Sequence, residues 1–213
     1  RISTTWLDAA TDLAETSYGN GVRTSFNIGN FYGGSGASEL VDTWEHYYRG
    51  IRKCNMLLTR IEEVPQNPAD SEDKYNRDKK NYIAEARFLR AYFYWELFLR
   101  YGPIPIVTEA NTQVSKYKRA TVEELYTWII TEMEEACPLL KEREEHRMRC
   151  YKATGYALLG KVYFQMGKYE KALEPLRISY RLLQGAPNVY LTDYKNKQAS
   201  FGYTEMGMME IMS

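Results

Sequence analysis

KATGYALLGKVYFQMGKYEKALEPLRISYRLL, residues Lys152 to Leu183, is the stretch that decides the fold. Its apolar residues recur at helical spacing on both sides of Gly167-Lys168. One helix is expected over about Lys152–Met166 and another over about Tyr169–Leu183. A two-residue join leaves them no choice but to run antiparallel. Gly160 and Ala172 are small, so the two backbones can approach closely. Tyr156 and Tyr163 then fill the groove between the helices.

Tyr156, Leu159, Gly160, Tyr163, Gly167, Tyr169 and Ala172 stand where a tetratricopeptide repeat needs its large, Leu, small, Tyr, Gly, Tyr and Ala residues. Such hairpins stack, each burying a face of the next. The upstream sequence supplies further helices. Trp44, Tyr47, Tyr48, Ile51, Cys54, Leu58 and Ile61 form one apolar face from Ser38 onward, ended by Pro65, Asn67 and Pro68. From Ser71 to Tyr101, one stripe (Tyr82, Ala86, Leu89, Phe93, Leu97) runs beside a second (Ala84, Phe88, Ala91, Trp95, Phe98). Two stripes require burial on two sides, so this helix is expected at the centre. Gly102-Pro103 ends it. Together these two long helices read as an enlarged hairpin of the same kind. Ile104 to Val107 reads as an extended connector. Thr121 with Glu124 is a capping box opening a helix that Pro138 bends or ends. The charge run Lys141–Arg149 reads as a solvated helix end or loop.

The fold class is therefore all-α: tetratricopeptide-like helical hairpins, an α-α superhelix, behind a loop-rich N-terminal segment. In that segment Gly, Ser, Thr and Asn dominate up to Gly36, with a short helix expected over Leu7–Glu15. The chain begins at Arg1 and closes on a methionine-rich run to Ser213, so it is expected to be a piece of a longer protein.

Composition narrows the function classes. The 213 residues carry 28 Lys plus Arg against 28 Asp plus Glu, and this zero net charge argues against a nucleic-acid partner. No apolar run approaches the roughly 18 residues a membrane span needs. Cys54, Cys137 and Cys150 have no CxxC spacing and read as inert thiols. His46 and His146 have no metal-ligand spacing, so no metal site and no cofactor are expected. The glycines at 29–36 lack the Lys-Ser/Thr of a phosphate loop, and Glu132, Glu134 and Glu135 read as solvated, so an enzyme is not expected. Glu85, Arg87 and Arg90, on the buried long helix, read as a structural ion-pair network.

The order of motifs carries a resemblance. Trp44-x-x-x-Tyr48-x-x-Ile51-x-x-Cys54-Asn55 precedes Tyr82-x-Ala84-Glu85-Ala86-Arg87-Phe88-x-Arg90-Ala91. Then follow Leu97-x-x-x-Tyr101-Gly102-x-Ile104-Pro105-Ile106-Val107, the segment Arg119 to Tyr126, and Lys152-Ala153-Thr154 leading into the repeat. The chain resembles the SusD/RagB family of nutrient-binding outer-membrane lipoproteins over most of Trp44 to Leu183. The resemblance implies a non-catalytic protein that is lipid-anchored at the cell surface. It binds a glycan, an oligosaccharide or polysaccharide, or sometimes a peptide. It passes this ligand to a SusC-like TonB-dependent transporter. Membrane contact would come only through a lipid anchor that this chain does not contain. The resemblance also sets the expected organisation: an N-terminal SusD-like region over 1–213, loop-rich at 1–40, tetratricopeptide-like at 41–185, with a truncated C-terminal part starting at 186–213.

Sugar capture needs flat aromatic faces for the C–H side of the ring and planar polar groups for paired hydroxyls. The loops supply Tyr18 and Tyr32 for the first, and Asp12, Asn20 and Arg23 for the second, while Trp44 opens its helix beside them. These six residues are the expected ligand contacts. Trp6, Phe26 and Phe31 could equally anchor the loops. A tetratricopeptide adaptor that binds a peptide or protein is the alternative reading, since a fold does not fix a function.

Overall fold

The computed structural model describes residues 38–110, 117–142 and 149–184, and 77% of these are helical with no strand among them. α1 spans Ser38–Arg60 and runs into a 3-10 turn at Ile61–Glu63. α2 spans Glu72–Tyr101, α3 Val122–Ala136 with a 3-10 turn at Cys137–Leu139, α4 Lys152–Gln165 and α5 Tyr169–Gln184. The expected helix at Leu7–Glu15, the loops up to Gly36 and the stretch 185–213 lie outside the described residues. The chain forms two compact units: Arg1–Arg49 with Gly202–Ser213, and Gly50–Phe201.

In the larger unit, α4 and α5 make the close hairpin expected from their spacing. Gly160 sits so near α5 that a Cβ there would stand 2.6 Å from Leu176 Cγ and 3.3 Å from the Ala172 carbonyl oxygen. The turn between the helices needs a left-handed residue, and Gly167 supplies it at φ 71°. Its N–H donates to the Phe164 carbonyl, and the Lys168 N–H reaches back to Tyr163. Pro175 lies buried inside α5. It leaves the Lys171 carbonyl without a helical donor, but Lys171 is exposed, so solvent can serve it. Tyr163 is buried and reaches beyond the groove, its hydroxyl donating to Glu134 of α3.

α2 is central, as two stripes require. Phe88, Ala91 and Trp95 are buried, and so are Ala86 and Leu97 on the second side. Ser71 caps its start by accepting from the Lys74 N–H, and Gly102 closes its end on Phe98. Leu125, Ile129 and Met133 of α3 face this core fully buried. The capping box of Thr121 and Glu124 is formed in both directions. Pro138 does end the helix: α3 stops at Ala136 and tightens into the 3-10 turn. α1 meets α2 through larger groups. Phe93 lies over Gly50, Lys79 pairs with Glu62, and Tyr75 donates to the Val64 carbonyl at 2.6 Å.

Tyr82 departs from the stripe assigned to it, being 40% exposed. The helical face it shares with Ala86 runs past the packed core toward the start of α2, and there the guanidinium of Arg149 lies 5.1 Å from its ring centroid.

The α4–α5 contact yields a direct test. Gly160→Val places a branched side chain against Leu176 and the Ala172 carbonyl and should cost roughly 1–3 kcal/mol. Gly160→Ala should cost less, because Ala gains about 1 kcal/mol of helix propensity over Gly. Urea unfolding midpoints check both.

Candidate ligand-binding site

A charged cluster holds the frame that any site must stand on. Arg90 of α2, buried, donates to Glu132 of α3 at 2.7 Å and to the Asn55 side-chain oxygen of α1 at 2.9 Å. Its guanidinium lies 5.3 Å from the Trp128 ring centroid. Glu132 also accepts from Arg87, which reaches on to Glu135. Glu85, Arg87 and Arg90 are all ion-paired as expected, but not with one another: the two arginines meet acids of α3, and Glu85 meets Arg149. Glu132, read from sequence as solvated, is buried at 8% exposure. Two arginines projecting from α2 require a carboxylate opposite them, and α3 provides it. Burial alone would raise the Glu132 carboxyl, but the hydrogen bonds from Arg87 and Arg90 outweigh it and hold it below the usual carboxylate range.

The cluster extends to the connector after α2. Asn55 donates through its amide to the carbonyls of Val107 at 2.9 Å and Glu109 at 3.2 Å. The Tyr94 hydroxyl accepts from the Val107 N–H at 2.6 Å and donates to the Val107 carbonyl at 3.1 Å. Burial pushes this phenol up to about 12, so it keeps its proton and remains a donor. Sequence reasoning found the connector but not the side chains that grip it.

Of the six expected ligand contacts, Asp12, Tyr18, Asn20, Arg23 and Tyr32 lie outside the described residues. Trp44 stands half-buried on α1, its ring 4.8 Å from that of Tyr48 and tilted 43° to it. Trp95 is core, as expected. The three thiols are free, and burial pushes Cys54 and Cys150 to about 11 and Cys137 to about 12, so none is a thiolate at neutral pH. Among the described residues, no group of three or more His, Cys, Asp or Glu is arranged for a metal ion. Among them also, no helix is long and apolar enough to cross a membrane.

The described residues of the larger unit include two open clefts. One, of about 430 Å³, is lined by Leu57, Tyr82, Glu85, Leu89, Arg149 and Cys150. Arg149 closes the charge run and is not simply solvated: it forks onto Glu85 through two hydrogen bonds of 3.1 and 2.6 Å. The other, of about 420 Å³, runs beside Glu134, Tyr156, Tyr163 and Pro175.

The sequence model of a SusD-like family, described as starch-binding and associating with the outer membrane, matches residues 10–164. The chain belongs to the SusD-like family. SusD-like protein P2 of Formosa agariphila is 27% identical over 150 residues, which are 69% of this chain and 28% of that protein. A laminarin-binding SusD-like protein of known structure is 25% identical with a TM-score of 0.65, over 84% of this chain and 37% of its own. A SusD-like protein from Bacteroides fragilis NCTC 9343 is 26% identical with a TM-score of 0.62, over 74% of this chain and 30% of its own. A third structure, solved with a xylogluco-oligosaccharide, shares the fold at 20% identity and a TM-score of 0.63, over 79% of this chain and 34% of its own. This SusD-like chain thus spans between 17% and 28% of the length of the curated relatives.

Breaking the cluster should be costly. Arg90→Leu leaves Glu132 buried with one arginine fewer and should destabilise by roughly 3–5 kcal/mol, while Arg90→Leu/Glu132→Leu should recover part of the loss; urea unfolding of the two variants checks this. Acid sensitivity follows from the same carboxylate. Its folded pKa lies below the ordinary Glu value of about 4.3, so its stabilisation is fully present above that pH and fades as pH falls through the folded value. Glu132→Gln should be less stable at neutral pH and flatter in the acid limb of a stability–pH profile measured by unfolding midpoints.

Proposed function

We propose that the protein bearing this chain is a non-catalytic, cell-surface glycan-binding protein of the outer membrane that delivers its ligand to a SusC-like TonB-dependent transporter. The observation that carries this reading is the family match over residues 10–164, together with the shared fold of the laminarin-binding relative. The chemistry of the described residues agrees with capture rather than turnover. The thiols are held protonated, and the most buried carboxylates, Glu132 and Glu85, are engaged by arginines.

In this reading, residues 41–185 are the frame, residues 1–40 present the contacts, and 186–213 begin a further part. Tyr18, Tyr32 and Trp44 supply stacking faces, and Asp12, Asn20 and Arg23 bind hydroxyls. Single sugar contacts are weak, so affinity per chain is on the order of micromolar to millimolar unless several subsites act together.

Affinity electrophoresis of the full-length protein through gels containing laminarin, xyloglucan, starch and other polysaccharides tests the reading. At least one should retard it, and Tyr32→Ala should be retarded less. Equal retardation removes Tyr32 from the site. Free migration on every polysaccharide sinks glycan capture and turns the search to peptides.

A further inference from the structure

We infer that the cleft between α1 and α2, lined also by Arg149 and Cys150, is a second binding subsite for an uncharged sugar ring, built from residues other than the expected N-terminal contacts. This inference rests on the glycan-binding reading for its ligand class, but the cleft itself is argued from its own residues.

The cleft has the size of a small-molecule site, which is roughly 300–1,000 Å³. Its walls combine two chemistries. Leu57 of α1 is 37% exposed and Tyr82 of α2 is 40% exposed, and with Leu89 they offer an apolar side that water leaves readily. Beside the Tyr82 ring, which lies 5.1 Å from the Arg149 guanidinium, stands a planar polar edge, the Arg149–Glu85 fork. Asn81 adds a third hydrogen bond to Glu85 at 3.0 Å, and the Tyr82 ring backs the guanidinium. The two charged groups are therefore fixed in orientation before any ligand arrives, which lowers the entropic cost of binding.

The charges decide the ligand. Among the described lining residues, Arg149 and Glu85 are the charged ones, and they pair with each other. A phosphate or carboxylate would have to displace Glu85 from Arg149, and a cation would have to displace Arg149 from Glu85. A neutral ring needs neither. Glu85 Oε2 accepts only the 2.6 Å bond from Arg149, and a carboxylate oxygen has a second lone pair for a hydroxyl donor. The C–H face of a pyranose matches the leucines and the tyrosine, and its hydroxyl edge matches the fork. The sequence hid this site by splitting it: Tyr82 was read as core and Arg149 as part of a solvated charge run.

Cys150 gives the cleft a readout of its own. In the full-length protein at mildly alkaline pH, where part of this thiol ionises, alkylation of Cys150 by iodoacetamide, followed by peptide mass spectrometry, is expected to slow several-fold in the presence of saturating laminarihexaose, maltohexaose or a xylogluco-oligosaccharide. Tyr82→Ala, on an exposed helical position where Ala preserves the helix, should weaken this protection roughly fivefold in apparent affinity. Leu57→Glu, which puts a charge on the apolar wall at a partly exposed helical position, should abolish it. Neither variant should change retardation that depends on Tyr32. Glycan retardation with no protection of Cys150 by any of the three oligosaccharides overturns the second subsite and leaves the proposed function intact. Protection of Cys150 that survives Leu57→Glu also overturns it. Protection without dependence on Tyr32 keeps the cleft and removes the loop residue from the site.

Discussion

A guanidinium buried among three helices is the constraint on which the rest of this structure depends. Arg90 cannot be left in the interior without an anion, and Glu132 on α3 answers it. It cannot be left with spare donors either, so Asn55 on α1 takes one of them. Its Nε has no hydrogen-bond partner among the described residues, and the Trp128 ring beside the guanidinium offsets part of that cost. Each requirement fixes a different neighbour of α2. Apolar packing alone would tolerate small rotations of α1 and α3 against the central helix. The directional bonds select one arrangement. Asn55 then passes the constraint outward, because the same side chain that accepts from Arg90 donates to the connector.

What could be read from the sequence divides along a physical line. Features set by residues close in the chain were legible. Thr121 and Glu124 announce a helix start because the capping box closes within four residues. Gly160, Gly167 and Ala172 announce a hairpin because close approach and a left-handed turn demand small residues at fixed intervals. Even the charge network was legible on one side, since arginines within an apolar helical pattern need partners. The partners themselves were not. Nothing in the order of residues distinguishes Glu132, which is buried against two arginines, from Glu135 a turn away, which remains more than half exposed. Periodicity identifies a face but not the neighbour that covers it. Tyr82 was misplaced for the same reason, since its stripe is real while the core beneath it ends sooner than the stripe does. The loop contacts illustrate a different limit: aromatic and amide side chains in a glycine-rich segment suggest sugar chemistry without fixing where any one of them stands.

In the proposed reading, the helical frame and the ligand contacts are separate layers of this molecule. The frame is held by caps, close contacts and buried ion pairs. Of the proposed contacts, Tyr82 is exposed and Trp44 half-buried.

The way the connector is held carries this separation one step further. Asn55 and Tyr94 grasp the carbonyls of Val107 and Glu109 and the amide of Val107, and none of these bonds uses a connector side chain. Between Val107 and Glu109 the strap is fastened by its main chain through these bonds, so it is indifferent to most of the letters written along it. Residues 107–109 can therefore be respelled while keeping their place.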